Sequence, residues 1–184
     1  MSQRNTFVRS MHDLGLAAWF GGSLMGAVGL NGAAATANSP AERLAISSRG
    51  WAKWAPVQIA AIVVHGVGGL GLIAGNKTRL MGQQESRTNT IIKTAITGLA
   101  GASSLASAAA GKRMSDHSAE GAQGVTEPGS GSSPELSAAQ RVQKVLQWTT
   151  PVLTAVLIVL AAQQGEQQRP VKGLWETTLK NFRR

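Results

Sequence analysis

Residues 58–75 read QIAAIVVHGVGGLGLIAG, and their reading decides the fold. Gly66, Gly68 and Gly71 spell G-x-G-x-x-G after an apolar run, the pattern of a dinucleotide-binding turn. That turn works only between a strand and a helix, with an acidic residue about 20 positions on. Here the following residues, LIAGNKTRLMGQQESRTNT, contain no apolar β-branched run and no carboxylate before Glu85. Asn76 separates Gly75 from Lys77, so no phosphate-binding loop is completed either. As a helix, by contrast, the stretch places Gly68, Gly71 and Gly75 on one face. It carries no charge from Ala55 to Gly75, a length of about 21 residues that spans a bilayer core.

Three further runs share this character. Leu14 to Ala37 is free of charge, and Val145 to Gln163 contains VLTAVLIVL. Thr90 to Gly111 is poorer, with Ile91, Ile92, Ile96, Leu99 and Leu105 as its large apolar residues. It still reads as a span, because an alanine-rich segment of that length favours helix over loop. The expected fold is all-α, an integral membrane four-helix bundle with spans near 14–37, 55–75, 90–111 and 145–163; three spans is the rival. Residues 1–13 and 164–184 form the termini, and 112–144 an outer loop with an amphipathic lead-in. Arg4, Arg9 and Ala35-Thr36-Ala37 also suggest a cleaved secretory signal. The apolar stretch is longer than the usual 7–15 residues, and Asp13 stands where positive charge belongs, so retention is expected.

Composition agrees with lipid as the medium. The chain has 22 glycines, 3 phenylalanines and no tyrosine among 184 residues, too little bulk for a core driven together by water. Small residues instead let helices approach closely where lipid supplies no hydrophobic force. Gly15, Ala18, Gly22, Gly26, Gly29 and Ala33 step by three or four along the first span, facing Gly68, Gly71 and Gly75 of the second. The expected packing seam is therefore Gly15, Gly22, Gly26, Gly29, Gly68, Gly71 and Gly75. The net charge of +9 comes without a basic block interleaved with aromatics, so no nucleic-acid partner is expected. No cysteine is present, which excludes disulfides and thiolate-bound metal.

Of the 18 lysines and arginines, 11 fall on the side of the termini and 7 on the other, which places both termini in the cytoplasm. Residues 115–137, SDHSAEGAQGVTEPGSGSSPELS, hold so little apolar bulk that a flexible outer loop is expected. Ser39-Pro40-Ala41-Glu42 reads as a capping box, and Ser133-Pro134-Glu135 opens a second, similar helix. Trp54 and Trp148 each follow 15 residues after the serine. A duplicated hairpin would explain this, although serine–proline starts and interfacial tryptophans are common in membrane proteins. Trp51, Trp54 and Trp148 are expected at the outer interface and Trp175 at the inner one.

Polar residues inside spans are the functional candidates: Asn31, Gln58, His65, Thr94, Thr97, Ser103 and Ser104. Asn31 and Gln58 are expected to bond each other. His65, about ten residues into its span, needs donor and acceptor partners, with Ser103 or Ser104 at a comparable depth. It is the candidate ligand for a metal or haem, or a proton relay. His12 is placed roughly 15 Å away in height, so the two histidines are not expected on the same ion. No catalytic set of side chains lies in the spans. No cofactor and no enzymatic activity are expected.

His12-Asp-Leu-Gly-Leu-Ala-Ala-Trp19-Phe-Gly21-Gly22 resembles the start of a helix in copper-resistance D-type membrane proteins and related small multi-span families. The resemblance implies a bacterial inner membrane and a role in copper handling. Copper(I) favours soft ligands, whereas this chain has no cysteine, 3 histidines and no methionine cluster. Two functions follow as expectations. The first is a non-enzymatic accessory or oligomerising subunit of a membrane complex, with lipid and other subunits or its own copies as partners. The alternative is a small carrier or binder of metal, haem or protons centred on His65.

Overall fold

The computed structural model describes residues 5–167, and no strand occurs among them. α1 (Thr6–Met25), a π-helical turn (Gly26–Leu30) and α2 (Asn31–Ala35) form one continuous rod. A tight turn leads into α3 (Pro40–Gly75). The short α4 (Lys77–Gly82) precedes α5 (Gln84–Asp116), and α6 (Pro134–Gln167) closes the bundle. Four helical stretches are long and apolar enough to cross a membrane: Thr6–Ala35, Pro40–Gly75, Ser86–Asp116 and Pro134–Gln163. The protein is thus an all-α, multi-pass membrane protein built as a four-helix bundle. The basic tail beyond residue 167, with Trp175, lies outside the described residues.

The helices overrun the expected spans, since α3 alone would measure about 54 Å against a hydrocarbon core of about 30 Å. Exposed large apolar side chains mark the lipid belt. They run from Phe7 to Val28 on the first rod, Val57 to Ile73 on α3 with Ile46 standing apart nearer its start, Ile91 to Leu105 on α5 and Val142 to Val159 on α6. At 1.5 Å per residue these stretches cover about 20 to 30 Å, one bilayer core.

α1 packs chiefly on α3 and also on α6, and α5 packs on α6, whereas α3 and α5 touch along little of their length. The α1–α3 seam has two kinds of contact. Gly15 lies against the backbone of Ala61 and His65, and Gly68 against the backbone of His12, so these two glycines permit true backbone approach. Gly22 and Gly26 instead form sockets for the indoles of Trp54 and Trp51, Gly71 receives Val8, and Gly75 receives Asn5. Gly29 meets only Met25 of its own rod. Trp51 and Trp54 are half-buried against α1, whereas Trp148 is 46% exposed. That difference also separates the two hairpins, whose serine–proline starts and tryptophan spacing match in sequence alone.

Residues 117–133 correct a second expectation. They fold over one end of the bundle as a packed cap. Ala122 and Val125 join Ala34, Leu44, Met114, Leu136 and Ala139 in a buried cluster. Arg43 donates to the carbonyls of Ala37 and Gln123 at 2.8 and 2.6 Å, and Gln140 to those of Val125 and Gly124 at 2.9 and 3.2 Å. Ala122 N–H donates to the Pro40 carbonyl. Gly121 holds φ of 74°, a conformation that favours glycine, where it turns beside Pro40. The segment lacks apolar bulk of its own, but the helix ends supply it, and two long side chains satisfy its backbone. The capping box is absent too: Ser39 makes no side-chain cap. Ser133 does cap α6, accepting from Leu136 N–H at 3.2 Å.

Candidate functional site: a histidine pair at the termini end

The antiparallel register of α1 and α3 determines the site. Because Gly68 abuts His12 and Gly15 abuts His65, the two histidines lie about one helical turn apart in height and their rings meet, with centres 4.2 Å apart and tilted by 39°. The expected separation of about 15 Å is thereby corrected. It assumed that the first span begins at Leu14, whereas α1 begins at Thr6 and His12 already lies a turn and a half inside it. Neither serine is the partner of His65. Its Nδ1 donates to the backbone carbonyl of His12 at 3.0 Å. Ser104 accepts from the Trp19 indole at 3.0 Å, and Ser103 pairs with Thr150 at 2.9 Å.

These bonds select the tautomers. A carbonyl only accepts, so neutral His65 carries its proton on Nδ1 and presents the lone pair of Nε2. His12 Nδ1 meets the Asp13 carboxylate at 2.9 Å, leaving its own Nε2 without a partner from that contact. Trp19, fully buried, stands edge-on to His65 with ring centres 6.0 Å apart. Both imidazoles line a cavity of about 300 Å³ between α1, α3 and α5. Arg9, Lys93, Thr94 and Thr97 share its wall, and no acidic residue does among those described. The cavity sits at the termini end of the lipid belt, level with Ile92 and Leu70.

The donor set limits what the pair could hold. Imidazoles on opposite faces of one haem iron keep their ring centres about 6 Å apart, given metal–nitrogen bonds of about 2 Å. At 4.2 Å the rings are stacked on each other instead, so a haem does not fit between them. A resident zinc or similar ion takes three or four protein ligands. Among the described residues no group of three or more His, Cys, Asp or Glu is brought together. The pair itself offers proton exchange at Nε2 and hydrogen bonding to a small solute.

The other candidates sort differently. Asn31 does not meet Gln58. Its carbonyl accepts from Ser47 and Trp51 at 2.9 and 3.0 Å, and its amide donates to Gln147 at 3.1 Å. The π-helical turn supplies the reason, because its wider winding rotates Asn31 toward α3 and α6. Gln58 lines a second cavity, described below. Arg9, Lys93 and Trp19 escaped notice as site residues, since each reads singly as a flanking charge or a packing aromatic. Aligning the glycines of α1 and α3 in antiparallel register would have placed His12 within a turn of His65, and Arg9 near Gly71 on the same cavity. Searched as a whole, the chain matches no protein-family model, no curated protein and no solved structure.

Proposed function

We propose that this protein sits in the plasma membrane of a bacterium with both termini in the cytoplasm, and binds protons together with a small anion at the His12–His65 cavity. The observation that carries the reading is the stacked pair on a cavity whose wall, among the described residues, holds Arg9 and Lys93 and no acidic side chain, the Asp13 carboxylate meeting His12 from outside it. In a low-dielectric setting such walls favour an anion, and a protonated imidazole strengthens that preference. The asymmetry of lysine and arginine supports the orientation. The resemblance to copper-resistance D-type proteins supports the bacterial membrane, but the donor set supports no copper chemistry.

The test is a thermal-shift series on nanodisc-embedded protein with inorganic phosphate, acetate and chloride, from about pH 8 down to about pH 5.5, across the imidazole range. At least one anion should raise the unfolding midpoint, more at the acid end, and Arg9→Gln and His65→Ala should each abolish the rise. Absence of any anion effect overturns the reading. So does a haem absorption band, or stoichiometric metal in the purified protein that His65→Ala removes.

A second reading, an accessory or oligomerising subunit, draws on a different observation. Gly98, Ala102 and Ala106 recur every four residues on α5 and are all exposed. Such small-residue seams bring helices together in lipid. Cross-linking in native membranes should then capture a dimer or a partner that Ala102→Leu releases; identical cross-linking in that variant removes this reading.

A further inference from the structure

The second cavity, about 600 Å³, lies at the capped end, where α3 and α5 splay apart. Along α3 it reaches from Ser47 to Val63, and along α5 from Asp116 to Gly101. Those 15 or 16 residue steps measure about 22 to 24 Å. One bilayer leaflet, headgroup included, is about 20 to 22 Å thick. The cleft is therefore as long as one leaflet is thick. Its inner part, about 6 to 9 Å from Val57 to Val63 and from Leu105 to Gly101, lies within the lipid belt, and the remainder opens on the headgroup side of that belt.

Its chemistry changes with depth in the same order as a phospholipid. At the mouth Lys112 and Asp116 form an ion pair at 2.9 Å, presenting a positive and a negative group side by side. Just below, Asn31 and Gln143 line the cleft while only 6% and 5% exposed. The Asn31 amide places one of its two N–H groups on Gln147. The Gln143 amide meets the Ser107 hydroxyl from both its nitrogen and its oxygen. Each amide retains an N–H with no acceptor among the described residues, and a buried donor left so is costly. The deep end is walled mainly by Ile59, Ile62, Val63 and Leu105, with Gln58 and the Ser104 hydroxyl, which already accepts from Trp19, as the polar groups beside them.

The geometry points to a binding site for one zwitterionic glycerophospholipid from the leaflet on the capped side. Its phosphate meets Lys112 and its ammonium Asp116. Its ester carbonyls accept from Asn31 and Gln143, and one acyl chain lies between α3 and α5. A lipid so held fills the seam that the two helices leave open, and it does so independently of the histidine cavity at the other end.

The experiment titrates delipidated protein with dioleoylphosphatidylethanolamine or dioleoylphosphatidylglycerol and counts bound lipids by native mass spectrometry. The wild type should retain one phosphatidylethanolamine per chain and hold phosphatidylglycerol about tenfold more weakly. A Cβ added at Gly111 or at Gly101 meets nothing within 4 Å, so Gly111→Leu and Gly101→Leu should fold and fill the cleft. Both should lose the bound lipid, with helicity by circular dichroism unchanged, while Leu99→Ala, outside the cleft, keeps it. No lipid retained by wild type, equal retention of the two headgroups, or full retention in both leucine variants overturns the inference. So does a second polypeptide recovered in the place of the lipid.

Discussion

The two hairpins of this bundle are held by different physics. The α1–α3 pair closes on glycine: backbone meets backbone at Gly15 and Gly68, and tryptophan fills sockets at Gly22 and Gly26. The α5–α6 pair closes on hydrogen bonds, Ser103 to Thr150 at 2.9 Å and Ser107 to Gln143 at 3.0 Å. The first seam depends on shape and has no room to give. The second depends on directional bonds, each of modest strength in a membrane because the separated helices also find partners. The difference also explains where the cavities lie, since both open between α3 and α5, which touch along little of their length.

The sharpest way to break this contrast is to add bulk to the glycine seam. Gly15→Leu or Gly68→Leu drives a side chain into facing backbone and should cost about 3 kcal/mol, read as loss of folded protein in a denaturant titration in detergent. A tolerant Gly68→Leu variant would mean that the seam can shift. Removing Asn31, the junction between the hairpins, comes next. Asn31→Ala strands the Ser47 hydroxyl, the Trp51 indole and the Gln147 amide, and should cost about 1–3 kcal/mol in the same titration. Across α5 and α6 the expected effect is smaller: a double-mutant cycle with Ser103→Ala and Thr150→Val should give about 0.6 kcal/mol. A coupling above that of the glycine variants would reverse the comparison.

The cap supplies the gentlest perturbation. Glu120 accepts from the Ser133 backbone N–H at 2.8 Å and pairs with His117 at 2.6 Å. The Ser133 bond foremost, then His117, hold its carboxyl below the usual carboxylate range. A carboxyl lowered in the folded state stabilises above its unfolded value and loses that contribution as pH falls through the folded one. The protection of the Ser133 N–H, its exchange measured against the intrinsic amide rate at each pH, should therefore fall on acidification below the usual carboxylate range, and Glu120→Gln should flatten that dependence. Protection that stays constant with pH would mean that Glu120 does not secure the cap.

Much of this was legible in the residues. The charge-free runs gave four helices, because only a helix satisfies its own backbone in lipid. The glycine stripes on the first and second spans correctly paired α1 with α3. His65 stood out as an imidazole in an apolar run. What escaped was register. Placing His12 outside the membrane separated it from His65, and matching Asn31 with Gln58 ignored both the overrun of α3 toward Pro40 and the π-helical turn. The cap escaped because its composition was judged alone, while its apolar partners, Leu44, Met114 and Leu136, lie on three different helices.

Local patterns determined what this chain is made of: each apolar run is self-sufficient in backbone hydrogen bonds, so its sequence alone specifies a helix. Which side chains meet was decided only by the packed bundle. The sockets at Gly22 and Gly26, the stacked histidines and the parting of α3 from α5 all depend on how helices slide and tilt against one another. That sliding is settled by the fit of whole surfaces, a property that no single stretch of the chain possesses.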